Sequence, residues 1–175
     1  MPTAILRPNG IGTTTRLARN SGTTNWGRVT ETSQDGDLSY VFDSDGNSLG
    51  NGALDLYTIN ANAIGAGDTI NSVTIYATIR CTDSLGQFSI AIRENSTTTH
   101  NNGDITPTSA YLEYNKSWTL KPSNGLAFTK TDIDNLQIGI FMREDAGGTN
   151  RCTQVYVVID YSPPATNNAI LMAGD

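Results

Sequence analysis

The stretch "LQIGIFMRE" (136–144) alternates Leu136, Ile138, Ile140 and Met142 with Gln137, Gly139, Phe141 and Arg143. Successive side chains of a strand point to opposite faces, so this period of two predicts a strand with one face in a core. Immediately upstream, "GLAFTKTDID" (125–134) reads as a tight turn followed by one turn of helix. Thr131 is expected as the N-cap, with Asp134 three residues later as in a capping box. Asp132 and Asp134 suit the positive end of the helix dipole. Ile133 and Leu136, three apart, are placed to face inward. The expected arrangement is a short helix plugging one open end of a β-sandwich before the strand begins.

The same alternation recurs outward in both directions. "LSYVF" (38–42), "ALDLYTI" (53–59), "INSVTIYATIRC" (70–81), "QFSIAIRE" (87–94), "SAYLEYN" with "SWTL" (109–120) and "TQVYVVIDY" (153–161) are strand-like. Asn9-Gly10, Asp45-Gly46, Asn51-Gly52, Asn102-Gly103 and Asn124-Gly125 are turn dipeptides, because glycine adopts positive φ at little cost. About eight short strands punctuated by such turns predict an all-β antiparallel sandwich or barrel with one short helix. Three parts are expected: an extended N-terminal arm with an edge strand (1–37), the sandwich (38–162) and a C-terminal tail (163–175). The arm is poor in large apolar groups. Trp26 is its exception and is read as an anchor to the body or to a partner.

The chain has 175 residues, 16% of them charged, and a net charge of −6. A domain of this length buries roughly 70% of its unfolded surface, so no metal or disulfide staple is required. The acidic balance and the absence of a basic run disfavour nucleic-acid binding. "MPTAILRPNG" lacks the features of a secretory signal, and "VYVVI" (155–159) is too short to cross a bilayer. Synthesis in a host cytoplasm, with no membrane partner, is expected.

Little in the chain points to catalysis. The one histidine, His100, sits in "ENSTTTHNNGD", which reads as an exposed loop tip, and no G-x-S-x-G turn accompanies it. Most carboxylates fall in turns, where they cap backbone amides. "DSDGN" (43–47) has the spacing of a calcium loop, but Ser48 and Leu54 stand where an EF-hand needs Gly and Glu. No C-x-x-C occurs, so no zinc site is expected. Cys81 and Cys152 are read as free thiols, since Cys152 is out of phase with Val155, Val157 and Ile159 unless a bulge intervenes. Tyr111, Tyr114 and Trp118 are a candidate glycan platform, weighed against packing in the core. Ile170, Leu171 and Met172 in "AILMAG" form a small apolar patch for partner binding.

The order of "AILRPNG", the Trp26 with "VTE" after it, "DLSYV", "INSVTIYATIRC", "GLAFTKTDIDNLQIGI" and "RCTQVYVVIDY" resembles jelly-roll virion proteins of tailed phages and prophages, such as head decoration (cement) proteins or minor head and tail proteins. The resemblance spans residues 3–161. It implies a jelly roll, a non-enzymatic structural role in the virion, and no cofactor or metal. The partners it implies are the chain itself, as a homotrimer, and the major capsid protein or other virion proteins. Two other readings compete. One is a carbohydrate- or receptor-binding module using Tyr111, Tyr114 and Trp118. The other is a filament subunit that exchanges strands.

Overall fold

The computed structural model describes residues 2–43, 52–82, 86–100, 104–143 and 149–165. Eleven strands lie among them: β1 (Thr3–Leu6), β2 (Pro8–Thr15), β3 (Ala18–Arg19), β4 (Val41–Phe42), β5 (Ala53–Ile59), β6 (Thr69–Cys81), β7 (Gln87–Glu94), β8 (Thr97–His100), β9 (Leu112–Trp118), β10 (Gln137–Arg143) and β11 (Asn150–Ser162). A 3-10 turn spans Trp26–Arg28, and helix α1 spans Lys130–Asp134.

The strands form two antiparallel sheets. The first has the order β3-β4-β11-β6-β9, with β1 also paired to β11; the second has the order β2-β5-β10-β7-β8. Counting β4 to β11 as eight successive strands, the first sheet takes the first, eighth, third and sixth. The second takes the second, seventh, fourth and fifth. This interleaving is the double Greek key of a jelly roll. The inner faces meet as the alternation requires: Ile138, Ile140 and Met142 of β10 and Val155, Val157 and Ile159 of β11 are all fully buried and belong to one core cluster.

The N-terminal segment is built into both sheets. β1 pairs with β11 (Ala4↔Ile159, Leu6↔Val157), β2 pairs with β5 at the edge of the second sheet, and Ala4, Leu6, Leu17 and Val29 enter the core. The helix is capped two residues earlier than its sequence suggests. Thr129, in extended backbone, is the N-cap, and Asp132 completes the capping box. Ile133 and Leu136 are buried in the core as expected. Thr131 lies inside the helix, because Asp132 also serves the buried Lys121, 3.0 Å away; that pairing places the box on Thr129.

His100 is the last residue of β8, opposite Ala91 of β7, and not a loop tip. The β7–β8 turn lies earlier, where Asn95 takes a left-handed φ of 53°. A bulge between Cys152 and Gln154 brings Cys152 into phase with the core. Cys152 then lies opposite Ile79 while Cys81 lies opposite Asn150, and both are buried with no disulfide between them.

Candidate functional site

β9 turns Tyr114, Lys116 and Trp118 to one side, since they alternate along a strand. Trp118 is only 7% exposed. The Tyr114 ring meets Phe88 edge-on, with centroids 4.9 Å apart, and packs against the core. Tyr111 lies just before the strand and is engaged elsewhere: its hydroxyl donates to Asp37 Oδ1 at 2.7 Å, and Arg80 covers its ring at 5.3 Å. The three rings share no open platform. Trp26 is half-buried in the 3-10 turn and packs on the core. Ile170, Leu171 and Met172 lie outside the described residues, as does "DSDGN" beyond Asp43, which is buried.

The solvent face of the first sheet carries a lattice of rings and charges. Tyr76 and Tyr156 stack at 4.8 Å with their planes 3° apart, and Arg7 lies over Tyr156 at 4.9 Å. The Tyr156 hydroxyl donates to Glu113 at 2.7 Å. Asp37 pairs with Arg80 at 2.9 Å and with Arg151 at 3.0 Å, and Arg151 covers the ring of Tyr40. Burial pushes the Asp37 carboxyl up, but the hydrogen bonds from Tyr111 and Arg151 outweigh it and hold the group below its ordinary range. Arg80 and Arg151 share the one Asp37 carboxylate, and the stacked rings cover one another. The lattice ties the segment before β4 to the sheet.

A second carboxylate cluster is internal. In "ALDLYTI" the residues facing the core are Ala53, Asp55, Tyr57 and Ile59, all buried. Asp55 Oδ1 accepts from the backbone N–H groups of Arg16 at 2.7 Å and Leu17 at 2.9 Å. Its Oδ2 accepts from Asn25 Nδ2 at 2.6 Å and the Tyr57 hydroxyl at 3.0 Å. Burial nevertheless raises the Asp55 pKa above its usual value, the four donors recovering part of the lost hydration. Burial, with Asp55 beside it, also holds the Tyr57 phenol protonated. The site is closed, and both oxygens are committed. Such a carboxylate holds chain together; it does not meet a substrate.

What Asp55 holds is the corner between β2 and β3. That corner borders a pocket of about 280 Å³ on the outer side of the second sheet, lined by Thr14, Arg16, Gly52, Leu54 and Phe141. Leu54 and Phe141 lie opposite one another in the β5–β10 pairing. Arg143 sits 5.5 Å over the Phe141 ring and pairs with Asp104. The chain from Gly12 to Thr13 arches over Leu56: a Cβ at Gly12 would lie 2.5 Å from the Leu56 carbonyl oxygen, and Thr13 donates its N–H to Gln137 Oε1 at 2.8 Å. The sequence reading missed these lining residues. The available signal was a carboxylate, Asp55, in phase with the core face of its strand.

Among the described residues, no group of three or more His, Cys, Asp or Glu side chains is placed to hold a metal ion. None of their helices is long and apolar enough to cross a membrane. No protein-family model matches the chain, and no curated protein matches it.

Proposed function

We propose that the chain is a non-enzymatic structural protein of a phage particle, a capsid decoration (cement) protein that stabilises the shell as a homotrimer through its edge strands. The observation that carries this reading is the double Greek key with unpaired edges. Among the described residues β9 pairs only with β6, β8 only with β7, and β2 only with β5. An edge strand offers a row of backbone N–H and C=O groups to which a neighbouring chain adds a strand. The order of sequence segments that resembles tailed-phage jelly rolls points the same way. So does the use of two of the buried carboxylates: Asp55 and Asp132 are spent on amides, two hydroxyls and one lysine.

Gradient-purified particles from cells carrying the gene test the proposal. Quantitative mass spectrometry is expected to find this chain at a fixed, high ratio to the major capsid protein. Particles lacking it are expected to release DNA at a lower temperature. A chain that stays in the soluble fraction at the top of the gradient refutes a shell role.

A further inference from the structure

We infer that the pocket beside β2 binds an acidic monosaccharide unit, a sugar carrying a carboxylate, of the uronic-acid type. The inference concerns side chains beside the β2 edge, not the backbone groups that the shell role uses, and its test is independent of that role.

Three features carry it. The first is an uncommitted cation. Arg80 and Arg151 are paired with Asp37, Arg143 with Asp104 and Lys121 with Asp132. Arg16, exposed and lining the pocket, has a guanidinium with neither an ion pair nor a hydrogen bond among the described residues; its backbone N–H is bonded to Asp55 and to the Leu54 carbonyl. A guanidinium left open in a chain of net charge −6 is a receptor for a carboxylate, which it grips with two parallel hydrogen bonds.

The second feature is pre-organisation. The Arg16 backbone is held by a fully buried carboxylate at 2.7 Å and by Leu54 O at 3.1 Å. A ligand therefore need not order the loop when it binds, which removes part of the entropic cost of association.

The third feature is the shape and chemistry of the floor. Leu54 and Phe141 supply an apolar surface and Thr14 a hydroxyl. Arg143 over the ring limits how Phe141 can turn. A pyranose has an apolar face of C–H groups and a rim of hydroxyls, and its volume suits about 280 Å³. A bare inorganic anion would use Arg16 and leave the floor empty. A neutral sugar would use the floor and leave Arg16 unpaired. An acidic sugar uses both. On a particle surface, such a pocket would engage the acidic polysaccharides of a cell envelope.

The test is titration of the isotope-labelled protein with glucuronate, glucose and inorganic phosphate, read by backbone amide shifts. Glucuronate is expected to shift the amides of Thr14, Arg16, Leu54 and Phe141 in a saturable way, at least tenfold more tightly than glucose or phosphate. Arg16→Gln is expected to weaken glucuronate at least tenfold, and Phe141→Leu to weaken it several-fold. Because the Arg16 side chain makes no hydrogen bond or ion pair among the described residues, Arg16→Gln should keep the wild-type melting temperature, so lost binding cannot be mistaken for lost folding. Equal affinity for glucose and glucuronate, equal affinity for phosphate, shifts elsewhere on the surface, or full binding by Arg16→Gln would each overturn the assignment.

Discussion

Replacing Asp55 by alanine isolates the clamp on which the corner between β2 and β3 depends. The carboxylate accepts four hydrogen bonds at 2.6–3.0 Å and is fully buried. Deleting it strands the Leu17 backbone amide, one N–H of the Asn25 side chain and the Tyr57 phenol, while the Arg16 N–H keeps the Leu54 carbonyl. Each stranded buried donor costs about 1–3 kcal/mol. Even the lower figure for all three gives about 3 kcal/mol, a large share of the ~5–15 kcal/mol that holds a domain folded. For a chain of this size the melting temperature should fall by roughly 6–12 °C. Asp55→Asn keeps one oxygen for Arg16 and Leu17 but aims an NH2 at the Asn25 amide; it should cost about half as much, since the Tyr57 hydroxyl can rotate to accept. The pH dependence supplies a second reading. The Asp55 pKa is raised from 3.8 in the folded state, chiefly by burial. The stability tied to its proton is therefore complete below the unfolded-state pKa and is lost as pH rises through the folded-state pKa. The gap between wild type and Asp55→Asn, measured by urea unfolding from about pH 4 to pH 7, should narrow as pH rises. A loss under ~1 kcal/mol in the alanine variant, or a gap that widens with pH, would refute the clamp.

Asp132→Ala removes the capping box and the partner of the buried Lys121 and should cost about 3 kcal/mol by urea unfolding. Burial pushes Asp132 up, but hydrogen bonds from Thr129 and the Lys121 charge outweigh it, so its pKa is lowered. Its contribution is present above the unfolded-state pKa and lost as pH falls through the folded-state pKa, the opposite slope to Asp55; a variant whose loss is the same in acid and at neutral pH would contradict this. Trp118→Ala should cost about 3–5 kcal/mol in thermal unfolding as a core truncation; a variant of unchanged stability would mean the ring is not packed. Cys81 and Cys152 should resist an aromatic disulfide reagent in the native state and both react in denaturant, since burial pushes the Cys152 thiol well above its ordinary value. Rapid native labelling would show that the core opens.

The central strands were legible because their alternation is unambiguous. Ile138, Ile140 and Met142, or Val155, Val157 and Ile159, can face a core in one register only, since a slip of one residue would expose the whole set. β1 to β3 were not, while β4, a two-residue strand, falls inside the strand-like "LSYVF". β3 is two residues long, too short to show a period, and β2 reads "PNGIGTTT", with nothing large to bury. Their pairing is set by bonds from elsewhere: the Asp55 clamp, Asn20 reaching Leu38 O at 2.9 Å, and the Arg7 stack on Tyr156. The pocket was hidden by a reversal in β5. "ALDLYTI" invites Leu54 and Leu56 into the core, yet they face outward; the arch of β2 buries Leu56, while Leu54 floors the pocket. A strand that turns leucines out and an aspartate in is a strand with something lying on its far side.

That reversal makes stability and recognition separable in this protein. Asp55 is fully buried, yet it positions the Arg16 backbone; the Arg16 guanidinium makes no hydrogen bond or ion pair among the described residues, yet it is the charge a ligand would meet. Loosening the clamp should therefore lower both stability and glucuronate affinity. Neutralising Arg16 should lower affinity alone. If the pocket were only a packing gap between β2 and β10, the two effects would not divide in this way: Arg16→Gln would be silent in binding, and the Asp55 variants would change unfolding without changing any titration.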